Sequence, residues 1–427
     1  MKNKFIKSTI ILIMGGAITK VMAMIIKIFL TRSIGDDGIG LYMLIIPTFN
    51  LFITLCTMSL STAISKLIAS KMSSKKVILP LIPISLGYNF VLMVILIIMA
   101  PFIANRLLNN SLAYYPIMGI SFTLPFICLS GILKGYFYGN ENMVPYVISN
   151  IVEQIVRLFF IILVIPKLLK YGINFSVLGV VLINVFSEFS SIICLILFLP
   201  RKKISIKSFK FNKDVFKDVL NISLSTTGSR LIGSISYFLE PIILTFILLR
   251  VGYDSNSIML EYGIITGYVF PLLLIPSFFT MAISTSLLPV VSAGYSSGNF
   301  IYTKKKLKQA LILSIIIGIF FTVIFMSFPN FLLKFIYNTN LGGNYVRILA
   351  PFFLLHYVQS PLTSFLQAVD KSTQAMMGTL VGAIIKNLLL LILPIYIGMW
   401  GFIISTLMNV VYVTIQHVYY AKRAFIR

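Results

Sequence analysis

The sequence predicts an all-α integral membrane protein of about twelve transmembrane helices, arranged as two six-helix bundles. Three observations carry that prediction. Of the 427 residues, 58% are hydrophobic and only 11% are charged, with a mean hydropathy of +0.99. Apolar runs of about 20 residues, enough to cross roughly 30 Å of hydrocarbon as a helix, recur from end to end. The basic residues collect in alternate gaps between those runs. A water-soluble fold of this composition would expose large apolar patches, and no polar stretch is long enough for a separate soluble domain.

Taken in order, the apolar runs predict spans at about 8–30, 41–69, 78–104, 113–135, 144–166 and 174–199. A second set follows at about 218–249, 258–290, 307–328, 345–368, 373–396 and 398–421. The first run is basic at its start, with Lys2, Lys4 and Lys7, but it is too long for a signal-peptide core and no small-residue cleavage site follows. It reads as an uncleaved first helix. Pro47, Pro125, Pro241, Pro271 and Pro276 fall inside spans, where each removes a backbone hydrogen bond and favours a kink.

Charge tests this division. With the N-terminus placed in the cytoplasm, twenty-three of the 35 Lys and Arg residues lie on the inner side and seven on the outer side. A wrong number of helices would scramble that asymmetry, so both termini are expected inside. The richest inner segment, Arg201 to Lys217, divides the chain into residues 1–205 and 206–427, six spans each. An internal repeat supports the division. A shift of 229 places Leu133 on Leu362, Glu141 on Asp370, Val152 on Val381, Ile155 on Ile384 and Arg157 on Lys386. An even number of helices per half makes the repeat parallel, which implies two bundles facing a central cavity and transport by their rocking.

Five cations remain inside the spans: Lys20, Lys27, Arg157, Arg230 and Lys386. The intramembrane acids are Glu153, Glu188 and Glu240. A charge at the bilayer centre costs roughly 2.5–3.5 kcal/mol, so each must be paired, wet or snorkelling. Lys20 and Lys27 share one face of the first helix, with Gly16 and Ala23 along it. Ser223, Thr227, Arg230, Ser234 and Tyr237 form one polar stripe on the seventh. Lys20, Lys27 and Arg230 are the candidate site for an anionic group such as a phosphate. Glu153, Arg157, Glu188, Ser234, Tyr237, Glu240 and Lys386 are candidates for coupling or structural roles. For Lys27 the competing reading is snorkelling to the outer headgroups, and for Arg230 a pairing with Glu240 or with an inner-leaflet phosphate. Glu153 and Arg157, one turn apart, are expected to neutralise each other.

The composition also excludes. The +24 net charge lies between apolar spans, not on a soluble face, which argues against nucleic-acid binding. His356 and His417 stand apart from other ligands, so no metal is expected, and no nucleotide-binding loop or catalytic constellation occurs. The sequence predicts neither an enzyme nor a cofactor. Cys56, Cys128 and Cys194 read as inert thiols within spans.

Four segments carry a resemblance. They are Ile34-Gly-Asp-Asp-Gly-Ile-Gly-Leu-Tyr-Met-Leu-Ile-Ile-Pro47 with Ser61-Thr-Ala-Ile-Ser-Lys66, Lys134-Gly-Tyr-Phe-Tyr-Gly-Asn-Glu-Asn-Met143, Val152-Glu-Gln-Ile-Val-Arg157, and Gly228-Ser-Arg-Leu-Ile-Gly-Ser-Ile-Ser-Tyr-Phe-Leu-Glu-Pro241. In this order they resemble the stage V sporulation protein B family. That family is similar to MurJ-type lipid II flippases within the multidrug/oligosaccharidyl-lipid/polysaccharide exporters. The resemblance implies a MATE/MurJ-like fold in the bacterial cell membrane. It implies a flippase carrying a polyprenyl-diphosphate-linked saccharide, a lipid II-type precursor for spore cortex synthesis, to the outer leaflet, with wall-synthesis enzymes as possible partners. It places Lys20 and Lys27 where flippase relatives carry cavity arginines, and Arg230 at a basic position of helix 7. Two departures are that Thr48-Phe-Asn-Leu-Phe52 lacks the arginine pair of MurJ-type proteins, and that twelve spans are read where those proteins commonly have fourteen. The alternatives are a cation-coupled multidrug exporter of the same fold, which requires an acidic cavity, and a membrane scaffold without transport.

Single cysteines labelled from outside the cell test the orientation. Lys4→Cys, Lys207→Cys and Lys304→Cys are expected to stay unreacted, and Lys167→Cys and Lys334→Cys to react; the reverse pattern would sink the positive-inside assignment.

Overall fold

The computed structural model of the chain describes residues 2–70, 74–200 and 213–425, and among these all regular structure is helical. Runs such as Ile315-Ile-Ile317 are rich in β-branched residues, which in water favour strands. In hydrocarbon a strand leaves backbone groups without partners, whereas a helix satisfies them within itself. The solvent decides the secondary structure here.

The first helical run, Lys2–Thr57, turns at Gly35, whose φ of 68° and ψ of −176° suit a residue without a Cβ. It therefore comprises α1, residues 2–34, and the start of α2. Helix α2 takes residues 36–57, breaks at Met58 and Ser59, and resumes as Leu60–Ala69. Next come α3 (Ser74–Phe102), α4 (Tyr114–Gly139), α5 (Met143–Leu168), α6 (Ile173–Leu197) and α7 (Lys213–Val251). Helix α8 is built in pieces: Ser255–Gly263, a π-helical stretch Ile264–Val269, Phe270–Leu273 and, after a break, Ser277–Ser296. The series ends with α9 (Phe300–Ser327), α10 (Gly343–Ala368), α11 (Ser372–Ile397) and α12 (Met399–Arg423).

By length and composition alone, ten candidate membrane spans lie among the described residues. The span Met14–Ala69 holds two crossings, divided at Gly35. Helix α10, 26 residues long, adds the twelfth. Its hydropathy is diluted by polar groups turned to protein. Tyr357 donates to the Leu273 carbonyl at 2.6 Å, and Gln359 donates to the Val410 carbonyl at 3.0 Å and to Thr414 at 2.9 Å. The expected spans match to within a few residues at most ends. The kinks do not follow the prolines alone: Pro47, Pro125 and Pro241 sit inside continuous helices, while α2 breaks at a Met-Ser pair.

By contacts the chain forms two units, Met1–Phe238 and Leu239–Arg427, so the division falls within α7. The expected boundary near residue 205 lies outside the described residues. Within the first unit α4 is central, packing on α2, α3 and α6, and α5 packs on α6 and on the first helical run. Within the second unit α10 is central, packing on α8, α9 and α12, and α11 packs on α12. Adding six to each helix number converts one pattern into the other, apart from the packing of α5 on the first helical run. Backbone geometry repeats as well. Asn109 and Asn338 have φ of 48° and 60°, and Glu141 and Asp370 have 55° and 58°. Each pair is separated by the 229 residues of the sequence repeat. Left-handed conformation is costly for residues with a Cβ, so its recurrence at the same turns marks a duplicated backbone.

Close approach depends on small residues at α4. A Cβ on Gly135 would meet the Ser61 backbone at 2.9 Å, whereas one on Gly16 of α1 would meet nothing within 4 Å. Gly135→Ala is expected to destabilise the protein by about 1–3 kcal/mol. Gly16→Ala is expected to stabilise by about 0.5–1 kcal/mol, because alanine is the better helix former. Unfolding of the two variants in detergent checks the contrast, and equal midpoints would contradict it.

Candidate functional site

On α1, Gly16, Lys20, Ala23 and Lys27 lie along one face, the two lysines about 10 Å apart along the axis. Gly16, Lys20 and Ala23 are exposed and Lys27 is half-buried. The hydroxyl of Thr19 bonds back to the Gly15 carbonyl at 2.9 Å, satisfying itself within the helix. Lys27 has no hydrogen-bond or ion-pair partner among the described residues.

The polar stripe of α7 is engaged by α2. Ser223 donates to the Met58 carbonyl, the Ser234 and Thr54 hydroxyls are 2.8 Å apart, and Arg230 Nη1 donates to Ser59 Oγ at 3.4 Å. The break in α2 makes the first of these contacts available. Met58 and Ser59 have φ of 41° and 52°, and the Thr62 and Ala63 amides both bond to the Ser59 carbonyl. The Met58 carbonyl is thereby released from its own helix and accepts from Ser223. Neither proline nor glycine announces this break, so sequence reasoning missed it. The only signal is the Ser/Thr density of Thr57-Met-Ser-Leu-Ser-Thr62. Arg230 remains exposed, with no carboxylate at ion-pair distance among the described residues. Tyr237 is half-buried on the same stripe.

The other span cations are neutralised. Glu153 Oε1 accepts from Arg157 at 2.8 Å and Oε2 from Lys134 at 3.0 Å, and Arg157 also reaches Ser187 at 3.4 Å. The expected Glu153–Arg157 pair is present, but its third member is a surprise. Lys134, read from sequence as part of an inner segment, sits within α4, where its ammonium can be held only because α5 supplies a carboxylate. Glu188 on α6 faces the same cluster. In the second unit Lys386 pairs with Glu240 at 2.5 Å, Tyr262 donates to the other Glu240 oxygen at 3.0 Å, and the ammonium lies 5.2 Å from the Phe402 ring centre. Glu240 therefore serves Lys386 and not Arg230. Sequence order could not indicate this, because 146 residues separate the partners.

No group of three or more potential metal ligands occurs among the described residues. His417 is occupied by the Val413 carbonyl at 2.6 Å and approaches Thr363 at 3.5 Å. Cys56 and Cys128 are buried thiols, Cys56 donating to the Leu124 carbonyl at 3.0 Å.

A duplicated six-helix unit with charged side chains held inside its spans defines a multi-pass, all-helical membrane protein. Residues 5–294 match the Polysaccharide biosynthesis protein family, and the chain belongs to it. Residues 262–393 match the MatE family. The chain is 33% identical to stage V sporulation protein B of Bacillus subtilis (strain 168), over 97% of its own length and 83% of the relative's. The resemblance read from the four sequence segments is borne out. Among solved structures it is similar to an inward-facing multidrug resistance MATE family transporter of the MOP superfamily, with TM-score 0.75, 16% identity, and coverage of 95% and 94% of the two chains. It is also similar to the lipid II flippase MurJ in an inward closed conformation, with TM-score 0.73, 17% identity, and coverage of 97% and 87%.

The Glu240–Lys386 pair yields a stability prediction. Lys386→Met alone strands a buried carboxylate and is expected to cost about 3–5 kcal/mol. Adding Glu240→Gln is expected to recover part of that loss, because no ionised group is left without its partner. Unfolding titrations of the single and double variants measure the difference, and a double variant less stable than the single one would refute the pairing.

Proposed function

We propose that this chain is a flippase for a polyprenyl-diphosphate-linked saccharide of the lipid II type, with Lys20, Lys27 and Arg230 receiving the diphosphate. One observation carries the reading. Lys134, Arg157 and Lys386 each have a carboxylate at ion-pair distance, whereas Lys27 and Arg230 have none among the described residues. A cation kept in a span without a structural counter-ion fits one supplied by a ligand. A diphosphate suits several cations at once, because charge-assisted hydrogen bonds offset its desolvation. Glycines beside these positions support access: a Cβ on Gly16, Gly228 or Gly233 would meet nothing within 4 Å.

One similar protein is named a lipid II flippase, which supports the same substrate class. Of the three intramembrane acids, Glu153 and Glu240 are engaged in ion pairs and Glu188 lies within electrostatic reach of Lys134 and Arg157, which counts against an acidic cavity for cationic drugs. The positive-inside bias supports a bacterial cell membrane location with both termini cytoplasmic. With the interior negative, outward movement of the substrate gains about 2.3 kcal/mol per charge for each 100 mV crossed uncompensated. Alternating access by the two six-helix halves is the movement proposed.

The test measures appearance of lipid II in the outer leaflet of vesicles carrying wild type or the Lys20→Ala, Lys27→Ala and Arg230→Ala variants, singly and combined. Each single change is expected to lower the flipping rate roughly tenfold, from the loss of about 1.5 kcal/mol or more of charge-assisted contact. The triple variant is expected to be inactive while folded. Normal flipping by a folded triple variant would overturn the clamp and favour a scaffold role.

A further inference from the structure

The second unit holds an open cleft of about 480 Å3 at one end of its helices, apart from every ion pair described above. Its walls are the short helix Pro329–Tyr337, the loop that leads into α10, and the first turn of α12. Under the proposed orientation these segments lie on the outer side of the membrane. Asn330, Asn340 and Asn344 line the cleft together with Leu341, Tyr345 and Trp400. The three asparagines are exposed, and their side-chain amides have no hydrogen-bond partner among the described residues. Tyr345 and Trp400 are half-buried and meet edge to face, with ring centres 5.1 Å apart.

The backbone sets this cleft in advance. Gly342, with φ of 92°, lies so close to α8 that a Cβ there would meet Ile264 and Val269 at 2.9 Å. Asn330 Oδ1 rests directly on Gly343, where a Cβ would stand 1.7 Å from it. Buried Thr339 accepts from the Leu341 amide at 3.2 Å and fixes the turn between them. A site formed before its ligand arrives loses little ordering entropy on binding. The repeat supplies a contrast. In the first half, 229 positions earlier, Pro101, Ser111 and Tyr115 stand in place of the three asparagines. The amides belong to one half only and are no by-product of the duplicated backbone.

The chemistry of the lining selects the ligand. No charged side chain lines the cleft, and Glu261 lies within electrostatic reach of Tyr345, so an anion is disfavoured. Each asparagine amide offers donors and an acceptor side by side, which suits the adjacent hydroxyls of a sugar. Leu341, Tyr345 and Trp400 offer apolar surface to the C–H face of its ring. An aromatic belt at the membrane interface accounts for Tyr345 and Trp400, but not for three amides that converge with them. We propose that this cleft is a binding site for a neutral saccharide, separate from the anion clamp on α1 and α7. A free glycan outside the membrane and the head of a lipid in the outer leaflet both present that chemistry.

Trp400 is the single tryptophan of the chain, so tryptophan fluorescence reports on this cleft alone. The full chain, in micelles of a detergent that contains no sugar, is titrated with maltose, with N,N′-diacetylchitobiose and with a neutral glycolipid bearing a disaccharide head. Glycerol serves as the control. A saturable change in emission is expected with a saccharide and not with glycerol. Asn340→Ala and Asn344→Ala are each expected to weaken binding roughly tenfold. Asn344→Gln keeps an amide, so it is expected to bind more tightly than Asn344→Ala and guards against a folding defect in the alanine variant. A response to the soluble disaccharides assigns the site to free glycan, and a response to the glycolipid alone assigns it to a lipid head. No saturable change with any of the three would overturn the proposal and leave Trp400 an interface anchor. A response retained in full by both alanine variants would overturn it as well. Lys20→Ala, Lys27→Ala and Arg230→Ala combined are expected to leave the titration unchanged, so its outcome is separable from that of the flipping assay.

Discussion

The constraint on which the whole structure depends is that hydrocarbon satisfies no polar group. Every backbone amide must find its partner inside the protein, so the chain is helical even where its β-branched residues would favour strands in water. Every ionised side chain must be met by an opposite charge, by water or by a ligand. The architecture follows from the first requirement and the candidate site from the second. Breaks in the helices occur where a released carbonyl is met again. The Met58 carbonyl, freed by the left-handed turn at Met58 and Ser59, is taken up by Ser223.

The same requirement sorts the charges of the spans into two kinds. Lys134, Arg157 and Lys386 are met by Glu153 and Glu240 and hold helices together. Lys27 and Arg230 have no carboxylate partner among the described residues, and they are where the proposed function begins. A buried pair contributes little net stability, because desolvation offsets much of the attraction, yet removing one partner is severe. Such pairs therefore fix which helices belong together more than they strengthen the fold. Glu240 and Lys386 fasten the second half of α7 to α11 in this way.

Duplication explains why the two units share a plan and differ in chemistry. The central helices α4 and α10 have corresponding neighbours, and left-handed residues recur 229 positions apart. Backbone geometry is retained because a turn that closes one bundle closes the other. Charges are free to diverge wherever a local partner exists. Arg157 finds its acid one turn away on its own helix, whereas Lys386 takes its acid from α7.

The sequence alone determined the membrane solvent, the number of crossings, the repeat and the list of charges inside the spans. These properties follow from hydropathy, length and charge bias, which are additive along a chain. The Glu153–Arg157 pair was legible for the same reason, since one helical turn brings the two together. Only the tertiary structure decided that Lys134 belongs to that cluster, that Glu240 serves Lys386 and not Arg230, and that α2 breaks at Met58 and Ser59. Those are contacts between helices, and the facing of helices distant in sequence is set by packing among many side chains at once. The charges were visible in the sequence; their partners were a matter of three-dimensional packing.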